Sequence, residues 1–255
     1  MPLEIVTVPC LSDNYAYLLH DPATGTTALV DAPAAAPIEA ALSARGWRLD
    51  MILITHHHGD HIDAVETLRA AHGARVAGAA ADAHRLPPLD LALAEGDSVQ
   101  VGAELGRVID VSGHTLGHIA YYFADSAAVF TADSLMALGC GRLFEGDAAT
   151  MWASLSRLAA LPRETWVFSG HEYTAANARF ALTIEPDNPA LQARAADVDA
   201  SRAEGLPTVP SQLADELATN PFLRAGLPEV KSALGMEQAS DVEVFAEIRA
   251  RKDRF

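Results

Sequence analysis

The sequence predicts an α/β (α+β) chain: two small β-sheets packed together with helices outside, then an all-helical C-terminal region. Three observations carry this reading. Short runs rich in β-branched residues recur between residues 3 and 131 with turn residues between them. Helical periodicity takes over after about residue 150. Half of the 255 residues are hydrophobic and 20% are charged, the make-up of a globular chain able to bury a full core.

Residues 3–8 (Leu-Glu-Ile-Val-Thr-Val) are β-branched and partly alternating, as a strand requires. A Ser-Asp-Asn turn leads to a second strand at 15–20, and Asp-Pro-Ala-Thr-Gly leads to a third at 26–31. The alanine-rich stretch 37–46 reads as a helix stopped by Gly46. Residues 50–54 (Asp-Met-Ile-Leu-Ile) form a short apolar run that suits a buried strand. A helix over 63–72 and a strand over 74–78 follow. The strand pattern then recurs at 97–101, 106–111, 120–123 and 127–131. Beyond it, helices are predicted at 150–161, 172–183, 189–204, 211–218 and 239–251, with an apolar run at 165–168 and prolines 207 and 210 in a connector. The change of texture puts a domain boundary near residue 170, giving domains 1–170 and 171–255.

The 18 basic and 34 acidic residues give a net charge of −16. Such a surface repels phosphate backbones and anionic lipid, so neither nucleic acid nor membrane is expected as a partner. A small anionic substrate needs a local cationic patch. Two cysteines, Cys10 and Cys140, make no disulfide framework and suit a reducing compartment. The N-terminus has no basic segment before an apolar one, and no apolar run approaches the ~18 residues that span a bilayer. A cytoplasmic protein is the expectation. Nothing in the sequence marks a dimer patch, so a monomer is the default.

The chemistry concentrates in Thr55-His56-His57-His58-Gly59-Asp60-His61, directly after the run 50–54. Imidazole suits zinc and iron, and carboxylate adds a hard oxygen ligand. In an extended backbone His56 and His58 point the same way. Asp60 and His61 lie beyond the bend and can face a second point, so one loop can serve two ions. A histidine-rich surface loop is the plain alternative, but four histidines and an aspartate in seven residues beside a buried strand are hard to explain as packing. Other candidates also follow strands. They are His114 in Gly113-His114-Thr115-Leu116-Gly117-His118, Asp133 in Thr131-Ala132-Asp133-Ser134, and His171 in Ser169-Gly170-His171-Glu172. Singly, each reads as a turn or helix cap; together they form a constellation.

The order T-H-x-H-x-D-H, G-H-T-x-G-H, an aspartate after a strand, and S-G-H-E-Y resembles the metallo-β-lactamase superfamily. Residues 139–146 (Gly-Cys-Gly-Arg-Leu-Phe-Glu-Gly), 170–177 (Gly-His-Glu-Tyr-Thr-Ala-Ala-Asn), 219–224 (Thr-Asn-Pro-Phe-Leu-Arg) and the terminus from Arg249 to Phe255 narrow the resemblance to the glyoxalase II, or hydroxyacylglutathione hydrolase, family. The resemblance runs from about residue 3 to the last residue. It implies an αββα sandwich with a two-metal site at one edge, and a helical glutathione-binding domain. It assigns His56, His58 and His114 to one divalent ion, Asp60, His61 and His171 to the other, and Asp133 to both. His57 and Gly59 fall at variable positions, and His118 at a supporting one. His20, His72 and His84 match no motif and read as ordinary surface or half-buried histidines. Zinc is the first choice of metal, with iron and manganese suited to the same donors.

The resemblance further places Arg142, Phe144, Tyr173, Arg249 and Lys252 at the glutathione-binding positions. Without it, Arg249 and Lys252 would read as a solvated helix end favourable to its own dipole. Two positions depart from the family pattern. Arg142 stands where lysine is common, and Phe144 where tyrosine is common, removing a hydroxyl bond worth ~0.5–1.5 kcal/mol. The implied reaction is hydrolysis of S-(2-hydroxyacyl)glutathione, chiefly S-D-lactoylglutathione, to D-lactate and glutathione by hydroxide held between two metals, with Asp60 orienting the nucleophile. It is the second step of methylglyoxal detoxification. The alternative within the superfamily is a glutathione persulfide dioxygenase with a single iron. The second-metal residues and the Arg249/Lys252 terminus argue against it. A β-lactamase would want a signal peptide and usually a cysteine ligand, and an RNA-processing nuclease a basic arm. A non-enzymatic metal or glutathione carrier would bind without turnover.

Overall fold

The computed structural model describes residues 2–255. The chain divides into two compact units: residues up to Val111 together with Leu116–Thr131, and Ser112–Thr115 together with Ala132–Phe255.

The first unit opens with the strands β1 (Glu4–Cys10), β2 (Asn14–His20) and β3 (Thr27–Val30), then α1 (Ala35–Arg45) and β4 (Met51–Leu53). It continues through α2 (Gly59–Ile62), α3 (Val65–His72), β5 (Arg75–Ala79) and β6 (Leu91–Leu93). One sheet runs β1 to β6 in order: β1–β2–β3 antiparallel, β3–β4–β5–β6 parallel. The parallel strands are held in register by rows such as Leu29, Ile52 and Val76, all 0% exposed. Burial on both faces explains why these strands read as continuous apolar runs rather than as alternation. Ile38 and Leu42 of α1 and Val65 and Leu68 of α3 pack into the same core as Leu18, Leu29, Ile52 and Val76, so helices cover one face of this sheet. Gly46 and Gly73 end α1 and α3 in the left-handed conformation, at φ 65° and 70°.

The remaining strands of this unit are β7 (Ser98–Val101), β8 (Glu104–Asp110), β9 (Ile119–Phe123) and β10 (Ala128–Ala132). They form an antiparallel meander. Its inner face meets the first sheet: the Tyr17 and Phe130 rings lie 5.5 Å apart, and the Tyr121 hydroxyl donates to the Ile54 carbonyl at 2.8 Å. Ile119 N donates to Thr55 O at 3.0 Å, which anchors the loop after β4 on the second sheet.

The second unit holds the hairpin β11 (Leu135–Met136) and β12 (Gly139–Cys140), and the pair β13 (Trp166–Ser169) and β14 (Ser211–Gln212). Its helices are α4 (Ala148–Ala159), α5 (Thr174–Ile184), α6 (Pro189–Ala203), α7 (Leu213–Thr219), α8 (Pro228–Leu234) and α9 (Asp241–Arg254). Leu138, Ala178, Ala181, Leu191 and Ala195 form one small core between α5 and α6. Phe180, Phe222 and Phe245 form a second, aromatic one. Ser240 and Glu243 close a reciprocal capping box at the start of α9. Among the described residues, no helix is long and apolar enough to cross a membrane.

Helix α2, strand β6, the hairpin β11/β12, strand β14 and helix α8 are additions to the sequence reading, β14 taking the first two residues of the helix expected at 211–218. α2 has four residues, β6 three, the hairpin strands and β14 two each and α8 seven, so none carries enough periodicity to stand out.

Candidate metal centre

Asp31 follows β3 and His56 follows β4, so both sit at the carboxyl ends of adjacent parallel strands. Ligands of open α/β sheets gather there. Asp31 holds a left-handed backbone, φ 57°, a strain kept where the surroundings enforce it. Its carboxylate accepts from Thr55 N at 2.9 Å, Thr55 Oγ1 at 2.8 Å and His61 Nδ1 at 2.8 Å. The His61 Nδ1 proton is thereby committed, and Nε2 carries the lone pair. Because the Thr55 hydroxyl proton goes to Asp31, Thr55 Oγ1 accepts from His56 Nδ1 at 3.0 Å. His56 Nε2 is then also a lone-pair nitrogen, and it stands 3.1 Å from His58 Nδ1. Asn14 Nδ2 donates to Asp60 Oδ2 at 3.0 Å, and that oxygen lies 3.8 Å from His61 Nε2. The first unit therefore gathers His56, His58, Asp60 and His61, with Asp31 behind them. Asp31, His56 and His61 each bring a donor atom within 4.8 Å of the others.

His57 points elsewhere, Nδ1 to Asp82 Oδ2 at 3.1 Å, on a carboxylate that Arg85 also holds. His118 is buried and stacks on His56 at 4.6 Å and 10°, fixing that ring. His20 stacks on Trp47, His72 meets Glu39, and His84 is exposed.

In the second unit two imidazole nitrogens flank one carboxylate oxygen. Asp133 Oδ2 is 3.5 Å from His114 Nε2 and 3.3 Å from His171 Nε2. His114 Nδ1 lies 2.8 Å from the Arg142 carbonyl, which can only accept, so Nδ1 carries the proton and Nε2 the lone pair. Asp133 follows Ala132, whose φ of 41° turns the chain out of β10. Gly141 lets its loop pass close to the main chain of Asp133, since a Cβ there would lie 1.9 Å from the Asp133 backbone carbonyl oxygen.

In each unit, then, an imidazole N–H is spent on a carboxylate, a hydroxyl or a carbonyl, and the other nitrogen faces another basic atom. Lone pairs aimed at one another repel unless a cation or a proton stands between them. Donor sets of this kind, with the outer N–H fixed by a partner, suit divalent ions. Asp31 was not among the sequence candidates. An aspartate ending a strand is ordinary, and only the fold brings it under His61.

The cationic candidates also lie in the second unit. Arg142 is exposed, and Phe144 is exposed with its ring 5.2 Å from His114. Tyr173 is exposed and stacks on His171 at 4.7 Å and 6°. Arg249 is 5% exposed, unlike a solvated helix end. It donates to the Cys140 carbonyl at 2.9 Å, pairs with Asp253 at 2.8 Å and lies over the Phe222 ring. Lys252 is half-buried between the Phe180 and Phe255 rings and donates to Ala176 O. Burial first, then the charges of Arg249, Arg179 and Arg142, push its pKa down to about 8. Those three arginines and Lys252 make a basic focus in a strongly acidic chain. Arg179 had no sequence signal, being one exposed arginine on a predicted helix. Burial pushes the Cys140 thiol up to about 11 against the opposing effect of Arg249. A protonated thiol is neither nucleophile nor metal ligand at neutral pH.

Residues 12–171 match the Metallo-beta-lactamase superfamily, and residues 172–255 match the Hydroxyacylglutathione hydrolase C-terminus family. A hydroxyacylglutathione hydrolase of Cereibacter sphaeroides is 68% identical over 255 residues, covering 100% of both chains. Among solved structures, ETHE1 from Myxococcus xanthus superposes with a TM-score of 0.68 at 26% identity, over 98% of this chain and 90% of that one. TTHA1623 in a di-iron-bound form superposes with a TM-score of 0.61 at 28% identity, over 86% of this chain and 100% of that one. The fold and the histidine–aspartate donors are those of a metallo-β-lactamase superfamily hydrolase. Within that superfamily the chain belongs to the hydroxyacylglutathione hydrolase family.

Proposed function

We propose that this protein hydrolyses the thioester of S-(2-hydroxyacyl)glutathione, chiefly S-D-lactoylglutathione, releasing D-lactate and glutathione. The observation that carries this is the full-length similarity to hydroxyacylglutathione hydrolases in a chain whose imidazoles already present lone-pair nitrogens. His56, His58 and His114 are assigned to one divalent ion, Asp60, His61 and His171 to a second, and Asp133 to both. Zinc is the ion of choice, and iron, as in the di-iron relative, and manganese suit the same donors. Held there, such ions would supply Lewis acidity toward water and toward the thioester carbonyl. The chain's residues supply the rest. Asp31 and Thr55 hold His61 and His56 in one tautomer. Asn14 holds the Asp60 carboxylate, which orients the attacking oxygen. Arg142, Arg249 and Lys252 supply positive charge for the glutathione carboxylates, Tyr173 a hydroxyl donor, and Phe144 an apolar contact.

Residues 1–170 act in this reading as the catalytic domain and 171–255 as the glutathione-binding domain, in a cytoplasmic monomer. A persulfide dioxygenase with one iron is the second reading; the second set of donors, Asp60, His61 and His171, and the Arg249/Lys252 terminus speak against it. Loss of thioester absorbance on adding purified protein to S-D-lactoylglutathione tests the proposal. Metal-dependent loss supports it. No turnover in metal-loaded protein, with oxygen uptake on glutathione persulfide, favours the dioxygenase.

A further inference from the structure

The hairpin β11/β12 carries an unusual set of restraints. Five consecutive residues, Met136 to Cys140, each have a backbone group held by a side chain from the helical part of the same unit. Asn220 Nδ2 donates to Met136 O at 3.1 Å and to Gly139 O at 3.0 Å. Asn177 Nδ2 donates to Ala137 O at 3.0 Å, and Leu138 N donates to Glu216 Oε2 at 2.9 Å. Arg249 Nη1 donates to Cys140 O. These side chains come from α5, the end of α7, and α9. Glu216 is 0% exposed and is itself fixed by Arg194 of α6, Ser211 Oγ at 2.6 Å and Asn220 Nδ2 at 3.0 Å. Leu138 at the centre is left-handed, φ 56°, a conformation that costs a non-glycine residue of order 1–3 kcal/mol.

A two-residue-per-strand hairpin has no ladder of its own to hold such a shape. Its conformation is imposed by the helices. Two residues beyond it comes Arg142, whose carbonyl receives the His114 N–H, and then Phe144 beside His114. We propose that Asn220 and Glu216 are positioning residues for substrate: they lock residues 136–140 and so fix Arg142 relative to Arg249. They touch no substrate themselves. The inference rests on the glutathione-thioester reading above.

The test compares metal-loaded wild type with Asn220→Ala by calorimetric titration of S-methylglutathione and by steady-state kinetics. Asn177→Ser, which removes a single bond to the same segment, is made alongside and carries the test where Asn220→Ala does not fold. Glu104→Gln is the control, since Glu104 is a buried carboxylate of the other unit that serves Ser126. The expected result is thioether affinity weakened about tenfold, the size of one misplaced charged hydrogen bond. KM should rise in parallel with kcat within about twofold, and Glu104→Gln should leave both unchanged. A lowered melting temperature with affinity and KM like wild type overturns the positioning role. Wild-type protein that fails to take up the thioether overturns the glutathione reading, and this inference with it.

Discussion

At the scale of single residues, the site is organised by partners that orient its candidate donors. Asp31 accepts from Thr55 twice and from His61 once, and through Thr55 it also fixes His56. Asp31→Asn keeps the shape but offers an N–H where an acceptor is needed. Loss of such a support costs 10–100-fold in metal affinity, and competition against a chromogenic chelator should read a loss of that size. Lys252 gives a second expectation. With its pKa near 8 its charge is full at pH 7 and fades as pH rises through 8. KM for an anionic substrate should therefore climb between pH 7 and 9.5, and Lys252→Arg should flatten the climb, since arginine stays charged. The same depression has a stability consequence. The folded pKa lies below the ordinary lysine value of 10.5, so the penalty for burying the charge is present below about 8 and disappears as pH approaches 10.5. Neither Asp31 nor the depressed Lys252 was legible in the sequence. An aspartate after a strand is common, and only packing puts Asp31 under His61; the resemblance singled out Lys252, but its lowered pKa comes from burial and neighbouring arginines that only the fold brings together. The histidine motif, by contrast, was legible because its residue types leave few other uses.

At the scale of elements, the loops after the strands carry the candidate metal donors. Gly141 allows one of them to pass Asp133. Gly141→Ala puts a methyl 1.9 Å from the Asp133 carbonyl, so the loop must move. The variant should lose bound metal, read by elemental analysis, before it loses helical signal by circular dichroism. The capping box of α9 is a separable feature. Ser240→Ala should cost ~1 kcal/mol, seen as a fall of roughly 2–4 °C in the thermal midpoint. Most elements were legible. The strands expected at 3–8, 15–20, 26–31 and 50–54 fall within one or two residues of β1 to β4, because each is a short β-branched or apolar run between turn residues. Helix 37–46 ends where its glycine demands. What escaped was short. β6 and the hairpin are too brief for a pattern, and the hairpin's shape is dictated by Asn177, Glu216 and Asn220, residues far away in sequence.

At the scale of the whole molecule, a net charge of −16 coexists with a basic focus formed by Arg142, Arg179, Arg249 and Lys252. A bulk surface of that sign discourages polyanions, while a local cluster can still hold a small anion. Composition made the first half of this legible. The second needed the fold, since the four residues span more than a hundred positions of the chain. The division of the chain is a similar case. The change of texture near residue 170 follows composition, whereas the compact units part after Thr131 and take in Ser112–Thr115, a segment too short to leave a compositional trace.

The central claim is that this family member is a hydrolase that works with two metal ions. Metal-free protein titrated with zinc, with bound metal and S-D-lactoylglutathione turnover measured at each point, tests it most directly. The account predicts that turnover becomes maximal only as occupancy reaches two ions per chain. Full turnover at one ion, or in metal-free protein, would contradict it.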